Sequence, residues 1–158
     1  MDKVLSILDQ DAKFTPEQIS QMVGRDVQEV AELIERYEQE KVILGYKTII
    51  DWEKTDRELV TALIEVKVTP QAGMGFDKIA TAICKYKEVE SVYLMSGGFD
   101  LTVIVTGRTM KEVAYFVSNK LAPMQAVLST GTHFVLKKYK EQGIRFDGNT
   151  DERGVIFV

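Results

Sequence analysis

The residues best suited to chemistry are the turn Gly97-Gly98-Phe99-Asp100 and the hydroxyl-bearing run Ser129-Thr130-Gly131-Thr132. Glycine, lacking a Cβ, lets a ligand approach backbone N–H groups; a carboxylate pairs with an amino group, and hydroxyls bind either end of an amino acid. Asp100 has a second reading, as a hairpin-turn residue that caps its own backbone. Another polar set lies on the outer side of a predicted helix that begins near residue 26: Gln28, Glu29, Glu32 and Arg36, with Arg25 at its entrance. Gln28 suits adenine, and Arg25 or Arg36 suits a phosphate or guanine. The same residues also make an ordinary solvated face in which Glu29 completes a helix cap.

Catalysis finds no comparable constellation. His133 is the only histidine and falls in an apolar strand, where a structural role is expected; with Cys84 as the only cysteine, a metal site or a histidine-dependent triad has no ligands or partners. Cys84 is expected to fill apolar space on a helix, and a disulfide framework is excluded. Gly73-Met74-Gly75 lacks the third glycine and the Lys-Ser/Thr pair of a phosphate loop, so it reads as a strand-to-helix link. The expectation is a protein that is no enzyme and carries neither metal nor cofactor.

The elements that must position these residues change character near residue 56. Before it, Val4, Leu5 and Leu8 mark a helix over about 2–10. Thr15-Pro16-Glu17-Gln18 opens a second with a capping box, Ile19, Met22 and Val23 face inward, and Gly24 ends it. Asp26 caps a third helix expected to bury Val27, Val30, Ile34 and Tyr37. The tight Gly24-Arg25 turn makes a helix-turn-helix. The extended run Val42–Asp51 around Gly45 reads as a hairpin beside the recognition helix, a wing that carries Lys47.

Residues 59–139 repeat strand-helix-strand twice. Val60 to Val68 alternate along a first strand; Phe76, Ile79, Ala80 and Ile83 mark a helix; Val92 and Leu94 oppose Tyr93 and Met95 on a second strand. A third strand runs from Asp100 to Thr106, a helix capped at Thr109 buries Val113, Phe116 and Val117, and a fourth strand covers about 127–139. The plan is α+β and ferredoxin-like, βαββαβ, with two helices on one sheet face. The other face carries Leu63, Tyr93, Met95 and Ile104, and a wet apolar face forfeits roughly 25 cal/mol per Å². At least a homodimer is therefore expected. The domains are 1–55, 56–140 and a tail, 141–158, whose apolar Val155–Val158 suits docking on this subunit or a neighbour.

Composition sets the remaining bounds. With 158 residues, 45% hydrophobic and 28% charged, the chain can fill one sizeable core or two small ones. No apolar run reaches the ~18 residues of a membrane span and Met1-Asp2-Lys3 does not open a signal peptide, so a soluble, cytoplasmic protein without a membrane partner is expected. Residues 1–55 hold twelve acidic against seven basic residues, a net of −5, and residues 56–158 twelve against thirteen, a net of +1. The unit built like a DNA reader is thus the acidic one, which opposes phosphate binding and leaves open a module that contacts protein instead.

Glu38–Tyr46, following a helix with Val30, Ile34 and Tyr37, resembles the matching stretch of the Lrp/AsnC family of transcription regulators. The resemblance extends over residues 1 to about 140. The Gly97–Asp100 turn resembles the family's Gly-x-x-Asp turn, and Ser129–Thr132 its Thr-x-Thr segment. It implies a winged helix-turn-helix joined to a RAM-type, ACT-like effector domain, and sheets packed face to face in dimers that assemble into rings such as octamers. It further implies an amino-acid effector held between subunits by Gly97, Gly98, Asp100, Thr130 and Thr132. Double-stranded DNA is implied on the third helix, where the positions of Gln28, Glu29, Glu32 and Leu33 face the major groove.

Overall fold

The structure, a computed structural model, describes residues 2–70 and 75–146. The chain divides into two compact units, Met1–Thr48 and Ile49–Val158. Gly73-Met74 and the Val155–Val158 segment lie outside the described residues.

In the first unit α1 spans Lys3–Gln10, α2 Pro16–Val23 and α3 Val27–Gln39. Each start is capped by the residue before it. Asp2 accepts from the Val4 N–H at 2.8 Å, Thr15 and Gln18 exchange both bonds of a capping box, and Asp26 accepts from the Gln28 and Glu29 N–H groups. Gly24 closes α2 at φ +69°, a left-handed conformation that favours glycine. Val4, Ile19, Val30 and Leu33 form the core, with Ile7, Leu8, Phe14, Val23, Ile34 and Tyr37 packed around it.

Two expectations on α3 are corrected. Val27 is 38% exposed, whereas Leu33, assigned to the groove, is 9% exposed. The inner stripe runs Val30-Leu33-Ile34-Tyr37, the three-and-four spacing of one helical face, and leaves Val27 outside it on the first turn. The hairpin expected over 42–51 is not formed: residues 44–51 carry neither helix nor strand pairing. Its entry is consumed by the helix end, where the Val42 and Ile43 N–H groups both donate to the Tyr37 carbonyl at 2.8 and 3.0 Å.

The Tyr37 hydroxyl donates to the second carboxylate oxygen of Asp2, joining the start of α1 to α3. That hydrogen bond, aided by backbone N–H donors, holds the Asp2 carboxyl below its ordinary 3.8. A depressed folded-state value contributes stability that is present above 3.8 and is lost as pH falls through the lower folded value. Circular dichroism during acid titration should therefore show a component of helix loss below that point. The component should be missing in Asp2→Asn, which keeps a cap but has no charge to lose.

In the second unit the order is β1 (Val60–Val68), α4 (Asp77–Cys84), β2 (Val89–Leu94), β3 (Leu101–Gly107), α5 (Met110–Phe116) and β4 (Val127–Phe134). The strands form an antiparallel sheet, β2-β3-β1-β4. This is the expected βαββαβ arrangement. Ala62, Ile64, Val66, Leu101, Val103 and Val105 bury against Ile79, Ile83, Val113, Phe116 and Leu121. On β1 and β3 the alternate residues, Leu63 and Ile104, are directly paired on the opposite face.

Both edge strands are bulged. Between its pairings with Val105 and Ile104, β2 carries the extra residue Glu90; β4 carries the extra residue Leu128 where β1 passes from Lys67 to Val68. Leu128 is 69% exposed. The fourth strand stops at Phe134 rather than Tyr139: its ladder with β1 ends at the Ala62–Phe134 pair, followed only by the Val135 N–H bond to Thr61. Lys140–Glu141 and Ile144–Arg145 then pair as a short hairpin. Cys84 ends α4 and is exposed, so it does not fill the core. No helix among the described residues is long and apolar enough to cross a membrane.

Candidate functional site

On the first unit Arg25, Gln28, Glu29, Glu32, Arg36 and Lys47 are all exposed. Four of them are already engaged in pairs at the start of α3. Gln28 donates through Nε2 to Glu32 Oε1 at 3.1 Å, Arg25 lies 3.9 Å from Glu29, and the Arg36 guanidinium stands 5.9 Å from the Tyr37 ring centre. Glu29 therefore turns toward Arg25, one helical turn back, and the capping falls to Asp26. An arginine and an amide that suit phosphate or base contacts are each held by a carboxylate on the same helix, with the solvent-screened strength of surface pairs.

On the second unit Asp100 does more than close its own turn. Its Oδ2 accepts from the Val68 N–H at 2.8 Å, its N–H donates to the Val66 carbonyl at 3.1 Å, and its carbonyl accepts from the Met95 N–H at 2.8 Å. The carboxylate thus pins the β2–β3 turn to the end of β1. Gly97 has φ +141°, and no atom lies within 4 Å of where a Cβ would stand at Gly97 or Gly98, so the turn has open space around it.

Leu101 and Thr130 are the partners of Val66 on its two sides. Asp100 and Thr130 accordingly flank the same end of β1, about two strand spacings or ~10 Å apart. Thr132 stands opposite Ile64, one pleat farther along the edge strand. The sheet end therefore carries a partly buried carboxylate and an accessible glycine turn, whereas Thr130 and Thr132, paired with the buried Val66 and Ile64, lie on the helix-covered side of the edge strand and are not brought against Asp100.

The opposite face carries Leu63 and Ile104, with Tyr93 (54% exposed) and Met95 beside them. His133, facing Leu63 from β4, places Nε2 3.4 Å from the Glu65 carboxylate. It is a surface group on an edge strand rather than part of the core. No group of three or more His, Cys, Asp or Glu among the described residues has the arrangement to hold a metal ion. Sequence reasoning missed the ion pair between Lys120 Nζ and Glu88 Oε1, at 2.7 Å, because the partners are 32 residues apart. Lys120 holds the Glu88 carboxyl below its usual range.

A three-helix unit with a tight turn between α2 and α3 is thus followed by an antiparallel sheet with two helices on one face. The family model described as the Lrp/AsnC ligand binding domain matches residues 61–144. The Bacillus subtilis protein "Uncharacterized HTH-type transcriptional regulator YugG" is 48% identical over 155 residues, 98% of this chain and 93% of that protein. The Leucine-responsive regulatory protein of Haemophilus influenzae is 25% identical, covering 88% of this chain and 83% of its own. Among solved structures, the Neisseria meningitidis transcriptional regulator NMB0573 in complex with L-Met superposes with a TM-score of 0.71 at 21% identity, over 88% of this chain and 89% of that one. The chain belongs to the Lrp/AsnC family. Its activity is regulatory, not enzymatic.

Proposed function

We propose that this chain is an amino-acid-responsive transcription regulator working in the cytoplasm, with a DNA reader over residues 1–55 and an effector and assembly domain over 56–140. Arg25, Gln28, Glu29, Glu32, Arg36 and Lys47 face double-stranded DNA. Gly97, Gly98, Asp100, Thr130 and Thr132 take the charged ends of an amino acid. The observation that supports this reading is the β2–β3 turn, where open space surrounds Gly97 and Gly98 and the Asp100 carboxylate stands at the end of β1, across that strand from Thr130. That one relative is named for leucine and another is complexed with L-Met favours the same ligand class here.

The open sheet faces pair in a homodimer, and dimers assemble into a larger ring such as an octamer. Effector binding at a subunit boundary favours one assembly and so resets the spacing of the DNA-reading helices. Binding of labelled random genomic fragments, with and without an amino-acid mixture, tests the reading; no binding in either condition sinks it. A second reading, in which the reader contacts a protein, is favoured by the net charge of −5 in residues 1–55 and by Glu29 and Glu32 on α3.

One pair of variants separates the two. Glu32→Gln removes a negative charge while keeping a side-chain oxygen for Gln28, and Arg36→Ala removes a cation. In fluorescence anisotropy at low salt the first should bind nonspecific duplex more tightly and the second more weakly, each by several-fold. Two unchanged affinities would favour the protein partner.

A further inference from the structure

The chain holds a basic groove far in sequence from the acidic reader. β2 and β3 are antiparallel, Val89 pairs with Val105, and the Thr106 N–H donates to the Glu88 carbonyl at 2.9 Å. This register sets Lys87, just before β2, beside Arg108, just after β3, at one end of the sheet. Lys111 follows in the first turn of α5. All three side chains are exposed and line one open groove of about 870 Å³, together with Tyr115 and Lys120.

The acids of this groove are partly spent. Glu88 is held by Lys120 at 2.7 Å, Glu112 Oε2 accepts from the Arg108 N–H at 2.8 Å, and Glu58 also lines the groove, where Arg57, Lys87, Arg108, Lys111 and Lys120 outnumber the three carboxylates. The cations are less so: among the described residues no side-chain ion pair or hydrogen bond occupies Arg108 or Lys111, and Lys87 is drawn to Glu88 only by longer-range attraction. On the reader the reverse holds, since Arg25 stands beside Glu29 and Gln28 is bonded to Glu32. The groove is open and its long basic side chains are not locked by neighbours. Such a surface suits a run of phosphates better than one small anion, which needs converging, fixed donors.

We propose that Lys87, Arg108 and Lys111 contact the phosphate backbone of duplex DNA, supplying sequence-independent affinity that the acidic reader lacks. The inference rests on the DNA-binding reading. Its test is the salt dependence of duplex binding by the full chain, measured by fluorescence anisotropy for wild type, for Arg36→Ala and for a triple variant, Lys87→Gln, Arg108→Gln and Lys111→Gln. Because each neutralised phosphate contributes about 0.9 to the slope of log K against log salt, the triple variant should have a slope shallower by roughly 2 to 3. Between about 50 and about 200 mM salt it should therefore lose roughly 15- to 60-fold less affinity than wild type.

Three outcomes overturn the proposal. If wild type binds, Arg36→Ala weakens binding and the triple variant keeps the wild-type slope, the groove is not a phosphate track while the reader stands. If inorganic pyrophosphate binds at the groove and the slope is unchanged, the surface is a small-anion site. If wild type binds no duplex at all, both this inference and the reading beneath it fail. Unchanged circular dichroism of the triple variant, expected for three exposed side chains, keeps loss of fold from imitating a result.

Discussion

Ile104→Glu is expected to shift the protein in sedimentation equilibrium from a dimer or larger assembly to a monomer. Ile104 stands opposite Leu63 in the middle of the uncovered sheet face. A second copy packed there would enclose the new carboxylate without a partner, at a cost of several kcal/mol; ~4 kcal/mol is about a thousandfold in the dissociation constant. The β3 residues on either side, Val103 and Val105, point into the helix-covered core, so the substitution leaves that core intact. Tyr93→Glu, on the same face and already more than half exposed, provides a second variant with less risk to folding. If both variants keep the wild-type mass, the subunits do not meet through this face.

The effector site is tested most sharply at Asp100. A small ligand identified by thermal shift in a screen of amino acids should lose about ten- to a hundredfold in affinity in Asp100→Ala, the cost on the order of 1.5–3 kcal/mol of truncating a charge-assisted hydrogen bond. The alanine variant also removes the acceptor of the Val68 N–H, so its effect mixes ligand contact with support of the turn. Asp100→Asn separates them, because its side-chain oxygen still accepts from Val68 while the charge that pairs with an ammonium group is gone. Calorimetry on this variant should show the same loss of affinity with an unchanged melting temperature. Undiminished binding by a folded Asp100→Asn protein removes the carboxylate's charge from the site.

Much of this architecture was legible in the sequence wherever periodicity and end signals agree. Thr15 to Gln18 announces a capped helix, and the alternating Ala62, Ile64 and Val66 announce a strand covered on one side; both appear as read. The same holds for the βαββαβ order. Local pattern failed where a distant partner decides. Val27 matches the apolar stripe by spacing, yet Leu33 takes the buried place because α3 presents the Val30-Leu33-Ile34-Tyr37 side to the core.

Val42–Asp51 has strand-forming residues, but the Val42 and Ile43 amides are drawn to the Tyr37 carbonyl. Past Phe134 the apolar pattern continues in Val135 and Leu136, although the ladder with β1 stops at the Ala62–Phe134 pair and Leu136 is 86% exposed. For the candidate site, residue types alone marked Asp100 and Thr130. That they flank one strand end is a matter of register, and so is the meeting of Lys87 with Arg108. No signal in the linear order joins positions separated by a whole helix or strand.

The extra residues on β2 and β4 bear on how such a chain stays out of fibrils. A sheet with straight, flat edges is a template on which further strands add through their unpaired N–H and C=O groups. Here each outer strand is interrupted once, at Glu90 on one side and Leu128 on the other, so neither edge presents an unbroken ladder. Growth by backbone addition is thereby discouraged on both flanks. The uncovered face can then remain apolar enough to associate, and association through a face closes on itself where association through an edge would propagate without end.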